Sequence, residues 1–308
     1  MTAAAGRASR RFAFGVIALF ALLTAYSFWS QWYDAQRMPT TEVIASGNAA
    51  LMKEFAAGDA IRVRPQWFDG PIVGVGSRPI LYGLDLDPYD RHRFKRLWLL
   101  SSWDHADEAA IDRAAWLGNG TRTRFDAAHY RVEVGTIVQT EKVLWDGYTA
   151  IRSAVVQKLP QKGNPIRCDR WDANAWQCGR TDPYLFVGPA FREMDDSFRE
   201  CIAANALPGA ASWSIRWPEV PLGEKLRFKA GNTYYAHRLP RGSEVELEVR
   251  INDKPVFTTR FAPHQLGYPE TVLPTPDWNG KQASVEFRVR AKDHLDRFFC
   301  FRPQSISK

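Results

Sequence analysis

The carboxyl-terminal third of this 308-residue chain alternates apolar and charged side chains with a period of two residues. In EVELEVRI, Val245, Leu247 and Val249 alternate with charged neighbours, and SVEFRVRA repeats the pattern. Because successive side chains of a β-strand point to opposite faces, this pattern predicts strands with one buried face and one wet face. Similar runs and a turn signal at residues 252–254 predict an antiparallel β-sandwich of jelly-roll type over residues 198–308.

Residues 34–160 combine helical and strand signals. SGNAALMKEFAAGD and WDHADEAAIDRAAWLGNG have helical spacing and end in glycine, with Asp104 at the N-cap position of the second. AIRVRP, PILYGLDL and RLWLLSS are short apolar runs typical of buried strands. The segment predicts a small extracytoplasmic α/β layer domain, with a tight turn at Asp146-Gly147. Residues 161–197 are rich in Pro, Gly, Asn and Asp and are predicted to connect it to the sandwich.

An uncharged apolar run extends from Phe12 to Trp32. As a helix, its 21 residues would cover about 31 Å, close to the thickness of about 30 Å of a bilayer core. Three arginines precede it, which predicts a cytoplasmic tail at residues 1–11, a transmembrane anchor at residues 12–33, and periplasmic or extracellular domains held at a bacterial inner membrane. A cleaved signal peptide is the alternative, with Ala25-Tyr26-Ser27 as the only passable cleavage site.

Export to an oxidising compartment favours disulfides for the four cysteines. Four cysteines allow three pairings, of which we predict Cys168 with Cys178 and Cys201 with Cys300. The first pair would close the loop CDRWDANAWQC, and the second would join the two ends of the sandwich. No Cys-x-x-Cys spacing or similar close pair of ligands occurs, so the sequence predicts no metal site.

Asp85, Asp87 and Asp90 cluster in LYGLDLDPYD, where a predicted strand ends. Carboxylates at such an edge can serve acid–base catalysis or bind a cation. The spacing lacks the glycine and the distal glutamate of a calcium loop, and GVGSRP lacks a complete nucleotide-binding fingerprint. We interpret these acids as a solvated turn, predict no cofactor and assign no catalytic residue.

Particular segments of the sequence resemble two known protein families. PEVPLGEKLRFKAG, SEVELEVRINDKPV and DRFFCF resemble the galactose-binding-like jelly rolls of bacterial envelope proteins. GDAIRVRPQW and FKRLWLL are similar to the extracytoplasmic α/β segment of lipid-carrier-dependent membrane glycosyltransferases. Those transferases carry their catalytic acids on loops between many membrane helices, whereas this chain has one hydrophobic span. No catalytic residue can therefore be carried over, and the resemblance, which implies an association with envelope glycan, does not imply transferase activity.

Flat aromatic rings beside polar side chains are common elements of small-ligand sites. The loops FAPHQLGYPE and TPDWNGKQ supply such residues, and AGNTYYAHR adds Asn232, Tyr234, Tyr235 and His237. The alternative is that loop aromatics cap the sandwich core. The predicted ligand-binding residues are His264, Tyr268, Asp277, Trp278 and Asn279.

The sequence thus predicts a non-catalytic, membrane-anchored envelope protein that binds glycan or assists glycan-building membrane proteins. One alternative is a carbohydrate-active enzyme that uses Asp85, Asp87 or Asp90, with two carboxylates facing each other across a cleft. Another is a scaffold subunit of an envelope complex, recognised by a large exposed apolar patch. The net charge is +7, but the charged residues are interspersed along the chain and do not form basic runs. An exported domain is also not expected to bind nucleic acid.

Overall fold

A computed structural model describes most of the chain and divides it into two compact units. Unit 1 comprises residues 1–81 and 94–137, and unit 2 comprises residues 82–93 and 138–308. Asp85, Asp104 and part of the predicted anchor lie outside the described residues. The described ranges are 19–30, 38–65, 70–81, 86–102, 105–118, 120–178, 185–195, 197–239 and 241–308.

Residues 19–30, which belong to the predicted anchor, form helix α1. Over the described ranges, no helix combines the length and the apolar character that crossing a membrane requires. The transmembrane anchor at residues 12–33 stays a prediction.

Within its described residues, unit 1 contains, besides α1, a four-stranded sheet and three further helices. Its strands are β1 (Asp59–Arg64), β2 (Arg96–Ser102), β3 (Arg122–Ala127) and β4 (Tyr130–Thr136), and its helices are α2 (Thr41–Glu54), α3 (Gly70–Val73) and α4 (Ala106–Trp116). The strand order is β1-β2-β4-β3, with β1 and β2 parallel and the other pairs antiparallel. Helix α2 starts at the N-cap Thr40, whose hydroxyl accepts a hydrogen bond from the Val43 amide at 3.3 Å.

Side chains alternate along β1 between two environments. Ile61 and Val63 belong to an apolar cluster with residues of α2, β2 and β4. Arg62 and Arg64 point to the opposite face, as the period of a strand requires. Both donate to the buried carboxylate of Asp112 on α4, Arg62 at 3.1 Å and Arg64 at 2.6 Å. The Asp112 carboxylate therefore forms ion pairs with two buried guanidinium groups.

Unit 2 is an antiparallel β-sandwich, which confirms the predicted fold class of this part of the chain. Its strands are β5 (Lys142–Asp146), β6 (Val155–Leu159), β7 (Ile166–Arg167), β8 (Arg170–Asp172), β9 (Ala175–Gln177), β10 (Phe186–Glu193), β11 (Phe198–Ala204), β12 (Ser212–Leu222), β13 (Lys225–Asn232), β14 (Val245–Ile251), β15 (Lys254–Phe261), β16 (Glu270–Pro274), β17 (Lys281–Ala291) and β18 (Phe299–Ser307). One sheet has the order β16-β13-β18-β11-β10-β9-β8, with β5 also paired to β18. The other has the order β15-β14-β17-β12-β6-β7.

The sandwich core consists of the apolar residues that the two-residue period identifies. In β14, Val245, Leu247, Val249 and Ile251 are buried, and the intervening charged residues lie on the outer face. Strands β12, β13, β17 and β18 contribute large rings to the same core, including Trp213, Trp217, Phe228, Phe287 and Phe301. Burying a side chain of this kind stabilises the fold by about 1.5–3 kcal/mol.

Two predicted turns behave differently. Asn252 and Asp253 connect β14 to β15 as a two-residue hairpin turn, with φ values of 47° and 64°. Positive φ at both central residues suits Asn and Asp and matches the twist of the flanking strands. Asp146-Gly147 does not form a hairpin, because β5 pairs with β18 in one sheet and β6 pairs with β12 in the other. The Asp146 carboxylate accepts the Tyr148 amide at 2.9 Å and turns the chain between sheets.

The sandwich also extends further than the predicted boundary at residue 198. Strand β6 pairs with β12, and β8, β9 and β10 extend the larger sheet, so unit 2 includes residues 161–197 and also residues 138–160, which were predicted to belong to the α/β domain. Both predicted disulfides are confirmed. Cys168 is bonded to Cys178 around the β8–β9 hairpin, and Cys201 to Cys300 between the neighbouring strands β11 and β18.

One strand face that the sequence predicts to be wet is covered. Arg227 on β13 is buried and Lys229 is half-buried, because a 3₁₀ turn at Pro88–Arg93 lies against this face. The Arg227 guanidinium lies 4.5 Å from the centre of the Tyr89 ring, and Lys229 Nζ lies 3.0 Å from the Asp87 carboxylate. Charge alternation alone does not reveal such a cover.

The shared carboxylate in unit 1 generates a first prediction. Asp112→Ala should lower the free energy of unfolding by about 3–5 kcal/mol, because it removes the charge partner of two buried arginines. Native-state hydrogen exchange of the β1 and β2 amides measures the free energy of opening of unit 1 separately from that of unit 2. The matched control is Asp126→Ala, which removes an exposed ion pair with Arg131 (2.7 Å) and should change stability by less than about 1 kcal/mol. Equal protection in both variants would contradict the role of Asp112.

Candidate functional site

The five predicted ligand-binding residues lie at two ends of strand β16. Trp278 closes a 3₁₀ turn after β16, and its partly buried ring packs against the sandwich core. Asp277 and Asn279 beside it are exposed. This placement matches the alternative interpretation, in which the loop tryptophan caps the core.

The other two predicted residues precede β16. Tyr268 is only 6% exposed and packs among Met194, Ala203 and the Cys201–Cys300 disulfide. Burial raises the pKa of the Tyr268 hydroxyl well above its ordinary value. His264 is exposed, with Nδ1 3.3 Å from a backbone carbonyl oxygen. The five residues of β16, about 17 Å of strand, separate this pair from Trp278, so the structure does not bring the five together.

A different set of residues lines one groove of about 330 Å³ in unit 2. The set is rich in aromatic rings and contains few charges. Its members are Phe186, Phe191, Arg192, Glu193, Phe198, Asn205, Thr233, Tyr235 and Phe298. Strands β10 and β11, helix α5 (Tyr234–Arg238) with its N-cap, the residue after β11 and the residue before β18 supply them. We call this feature the aromatic groove.

Phe191 and Phe198 form one aromatic pair of the groove. They stand on the two strands of the β10–β11 hairpin, where Glu193 pairs with Phe198 and places Phe191 diagonally across. The ring centres are 5.3 Å apart and the planes differ by 22°, so the rings are stacked. Phe191 is 46% exposed and Phe198 is 50% exposed. Two adjacent phenyl rings thus present apolar surface to solvent.

Tyr235 and Phe298 form the second aromatic pair, with ring centres 5.5 Å apart and an interplanar angle of 63°. Tyr235 is 61% exposed and belongs to α5, which is only five residues long. Thr233 caps this helix by accepting a hydrogen bond from the Ala236 amide at 3.3 Å. The buried guanidinium of Arg297 donates to three carbonyl oxygens at 3.3 Å, two of them in or just after α5. These contacts hold the second pair in place.

The groove rests on a covalently linked base. The Cys201–Cys300 disulfide joins β11 to β18, and Met194, Ala203 and Tyr268 pack around it. Strand β11 continues from this base to Phe198, and β18 begins one residue after Phe298. The disulfide that the sequence predicts therefore fixes the strands that carry both aromatic pairs.

The polar groups of the groove carry no net charge. Arg192 and Glu193 have opposite charges, and Asn205 and Thr233 are neutral. The Asn205 carbonyl oxygen accepts the Trp213 indole N–H at 2.7 Å, which ties this end of the groove to the sandwich core. The arrangement offers apolar faces beside hydrogen-bonding groups, and none of the described lining residues forms a nucleophile–base pair.

A larger cleft of about 680 Å³ lies on the outer face of the six-stranded sheet. None of the described residues that line it is aromatic. The Glu246 carboxylate forms ion pairs with the guanidinium groups of Arg260, at 3.2 Å, and Arg290, at 2.5 Å. These charges on the outer face therefore compensate one another. The aromatic groove is therefore the better candidate for a ligand site.

The acids that the sequence analysis considered for catalysis are ion-paired within unit 2. Asp87 is buried and lies 3.0 Å from Lys229. Asp90 lies 2.8 Å from Arg302 and 3.0 Å from Arg93. The interpretation as a solvated turn is wrong for Asp87 and Asp90, because their carboxylates compensate charges on the sheet beneath them. Asp85 lies outside the described residues.

Sequence reasoning found part of the groove. It named Tyr235 among four residues of AGNTYYAHR but did not place it in the predicted site, and it did not consider Phe191, Phe198 or Phe298. A signal existed in FREMDDSFRE, where two phenylalanines flank an acidic turn and would become neighbours in a hairpin. The two-residue period does not distinguish such exposed rings from core residues.

Comparisons with known proteins give distant likenesses only. No protein-family model matches the chain, and no curated protein matches it. The CBM51 module of a Clostridium perfringens GH95 protein, in complex with methyl-galactose, aligns at 9% identity over 49% of this chain and 80% of its own, with a TM-score of 0.27. A family 35 carbohydrate-binding module from an environmental isolate aligns at 13% identity over 38% and 82%, with a TM-score of 0.24. The xylan-binding module CBM15 aligns at 10% identity over 49% and 90%, with a TM-score of 0.24.

TM-scores of this size do not establish a common fold. None of these three structures is a membrane glycosyltransferase, and that resemblance is unsupported.

The ion pair of Asp87 generates a second prediction. Burial alone would raise the pKa of Asp87, but the charges of Lys229 and Arg302 and the Tyr89 amide hold it below its ordinary value. The native state then binds this proton less readily than the unfolded chain, so the stabilisation is present above about pH 4 and is lost as pH falls through the native-state pKa. Asp87→Asn should lower stability at pH 7 by about 1.5–3 kcal/mol and reduce the further loss below pH 4.

Urea unfolding followed by tryptophan fluorescence at several pH values measures both effects. Asp277→Asn is the control, because Asp277 is exposed and should change neither quantity. An Asp87→Asn variant with the pH dependence of the native protein would show that the pair contributes nothing.

Proposed function

We propose that unit 2 is a non-catalytic saccharide-binding module and that the aromatic groove is its binding site. The observation that carries the proposal is the presence of two aromatic pairs, together with the ring of Phe186, along one groove whose rim is polar. Contiguous apolar side chains exposed on a folded protein often mark an interaction surface or a ligand-binding groove.

The chemistry of the groove suits a sugar. A sugar ring has C–H groups on its faces and hydroxyl groups at its edges, so it needs a flat apolar surface and adjacent hydrogen-bonding groups. Phe198 and Tyr235 supply flat surfaces, and Asn205, Arg192 and Glu193 supply polar groups. The volume of about 330 Å³ lies at the lower end of the range of about 300–1,000 Å³ for small-molecule pockets.

Charge favours a neutral ligand over a polyanion. Nucleic acids and anionic lipid surfaces require uncompensated lysine or arginine side chains. In the groove, Arg192 is accompanied by Glu193, and the remaining lining residues are uncharged.

We further propose that the module works outside the cytoplasm. Two disulfides in unit 2 suit an oxidising compartment. The arginines and apolar run of the amino-terminal sequence support a tether at residues 12–33 in a bacterial inner membrane. The partners would be envelope glycan or the membrane proteins that build it.

Binding is the third prediction. The full chain should bind neutral glycans on an array, and Phe198→Ala and Tyr235→Ala should each weaken binding about two- to tenfold. The basis is that an aromatic contact contributes about 0.5–1.5 kcal/mol. Isothermal titration calorimetry with the array ligand measures the change.

The matched control is Val272→Ala, which removes an exposed apolar side chain on the edge strand β16, outside the groove. Trp278→Ala should alter stability rather than affinity, since its ring packs on the core. Absence of binding to every glycan, together with self-association or capture of one membrane protein that the groove variants abolish, would overturn the proposal in favour of a scaffold.

Location is the fourth prediction. In intact bacterial cells, the four cysteines should resist maleimide until a reductant is added to the denatured chain, because they are paired as Cys168–Cys178 and Cys201–Cys300. The carboxyl terminus should be digested by protease added to spheroplasts. Thiols that react without reductant, together with a protected carboxyl terminus, would place the module in the cytoplasm.

A further inference from the structure

The aromatic groove is long relative to a single sugar. Phe198 and Asn205 both line it; Phe198 is the first residue of strand β11, and Asn205 follows the last residue, Ala204. Seven residue steps at about 3.3 Å each amount to about 23 Å of strand. Lining residues of this one groove are therefore about 23 Å apart along the direction of β11.

The two aromatic pairs lie at opposite ends of that length. Phe198, with Phe191 stacked on it, marks the beginning of β11. Strand β18 runs antiparallel to β11, and the pairing of Cys300 with Ala203 places Phe298 beside Asn205 at the other end. Tyr235 contacts Phe298 there. A monosaccharide that touches one pair is too short to reach the other.

We propose that the groove binds an internal stretch of a linear, uncharged oligosaccharide, with the two aromatic pairs as separate subsites. The proposal rests on the saccharide-binding function above. When one part of a chain is bound at the first pair, contact with the second becomes intramolecular and benefits from a high effective concentration. Affinity should therefore rise with chain length until both pairs are occupied and then level off.

Two oligosaccharide series test this on the full chain: glucose to cellohexaose and N-acetylglucosamine to chitohexaose. For the series that binds, the hexasaccharide should bind about tenfold or more tightly than the monosaccharide, with a plateau once the chain spans the groove. Phe198→Ala and Tyr235→Ala should each weaken hexasaccharide binding about two- to tenfold. Either variant should also remove most of the dependence on length, whereas Val272→Ala should retain it.

The outcomes separate this inference from the function on which it rests. Equal affinity for the monosaccharide and the hexasaccharide, with sensitivity to one aromatic pair alone, would overturn the two-subsite inference and leave saccharide binding in place. Failure of both series, accompanied by array binding to a branched or single terminal sugar, would also overturn it. Failure of both series and of the whole array would overturn the proposed function itself.

Discussion

The architecture of unit 2 depends on the burial of one charge, the guanidinium of Arg302. This residue lies on β18, inside the larger sheet, and its side chain is fully buried. Burial alone would lower the pKa of Arg302, but Asp90 at 2.8 Å and Asp146 at 3.5 Å raise it above its ordinary value. An unpaired buried charge costs several kcal/mol, so the sheet requires both acids. Residues 86–93 belong to unit 2 for this reason, although the chain that surrounds them in sequence builds unit 1.

The same strand connects this charge network to the aromatic groove. Arg302 stands two residues after Cys300, whose disulfide to Cys201 fixes β18 against β11. Phe198 is the first residue of β11, and Phe298 immediately precedes β18. The ion pairs of Arg302 and the Cys201–Cys300 disulfide both act on β18. Together they fix the strands beneath the two aromatic pairs.

The sequence predicted what depends on local pattern. The alternation around Val245 and Phe287 and the turn at Asn252-Asp253 are correct, because strand period and turn conformation are local properties. The disulfide pairing is also correct, although Cys201 and Cys300 are distant in sequence. Other features that depend on which segments meet in space were missed or wrong. Asp146-Gly147 has turn chemistry but links two sheets, and nothing near Lys229 in sequence indicates that residues 86–93 cover it. The groove falls in the same class, since Phe298 reaches Tyr235 only through the pairing of distant strands.

Rigidity explains how weak single contacts would suffice for the recognition that we propose for the groove. Phe and Tyr have only two rotatable side-chain bonds each, so little conformational freedom is lost when a ligand covers them. Helix α5, at five residues, is too short to be stable alone. The Thr233 cap and the carbonyl contacts of Arg297 order it during folding, before any ligand arrives. The conformational entropy of positioning Tyr235 is therefore lost on folding and not on binding. A larger part of the free energy of each stacking contact then contributes to affinity.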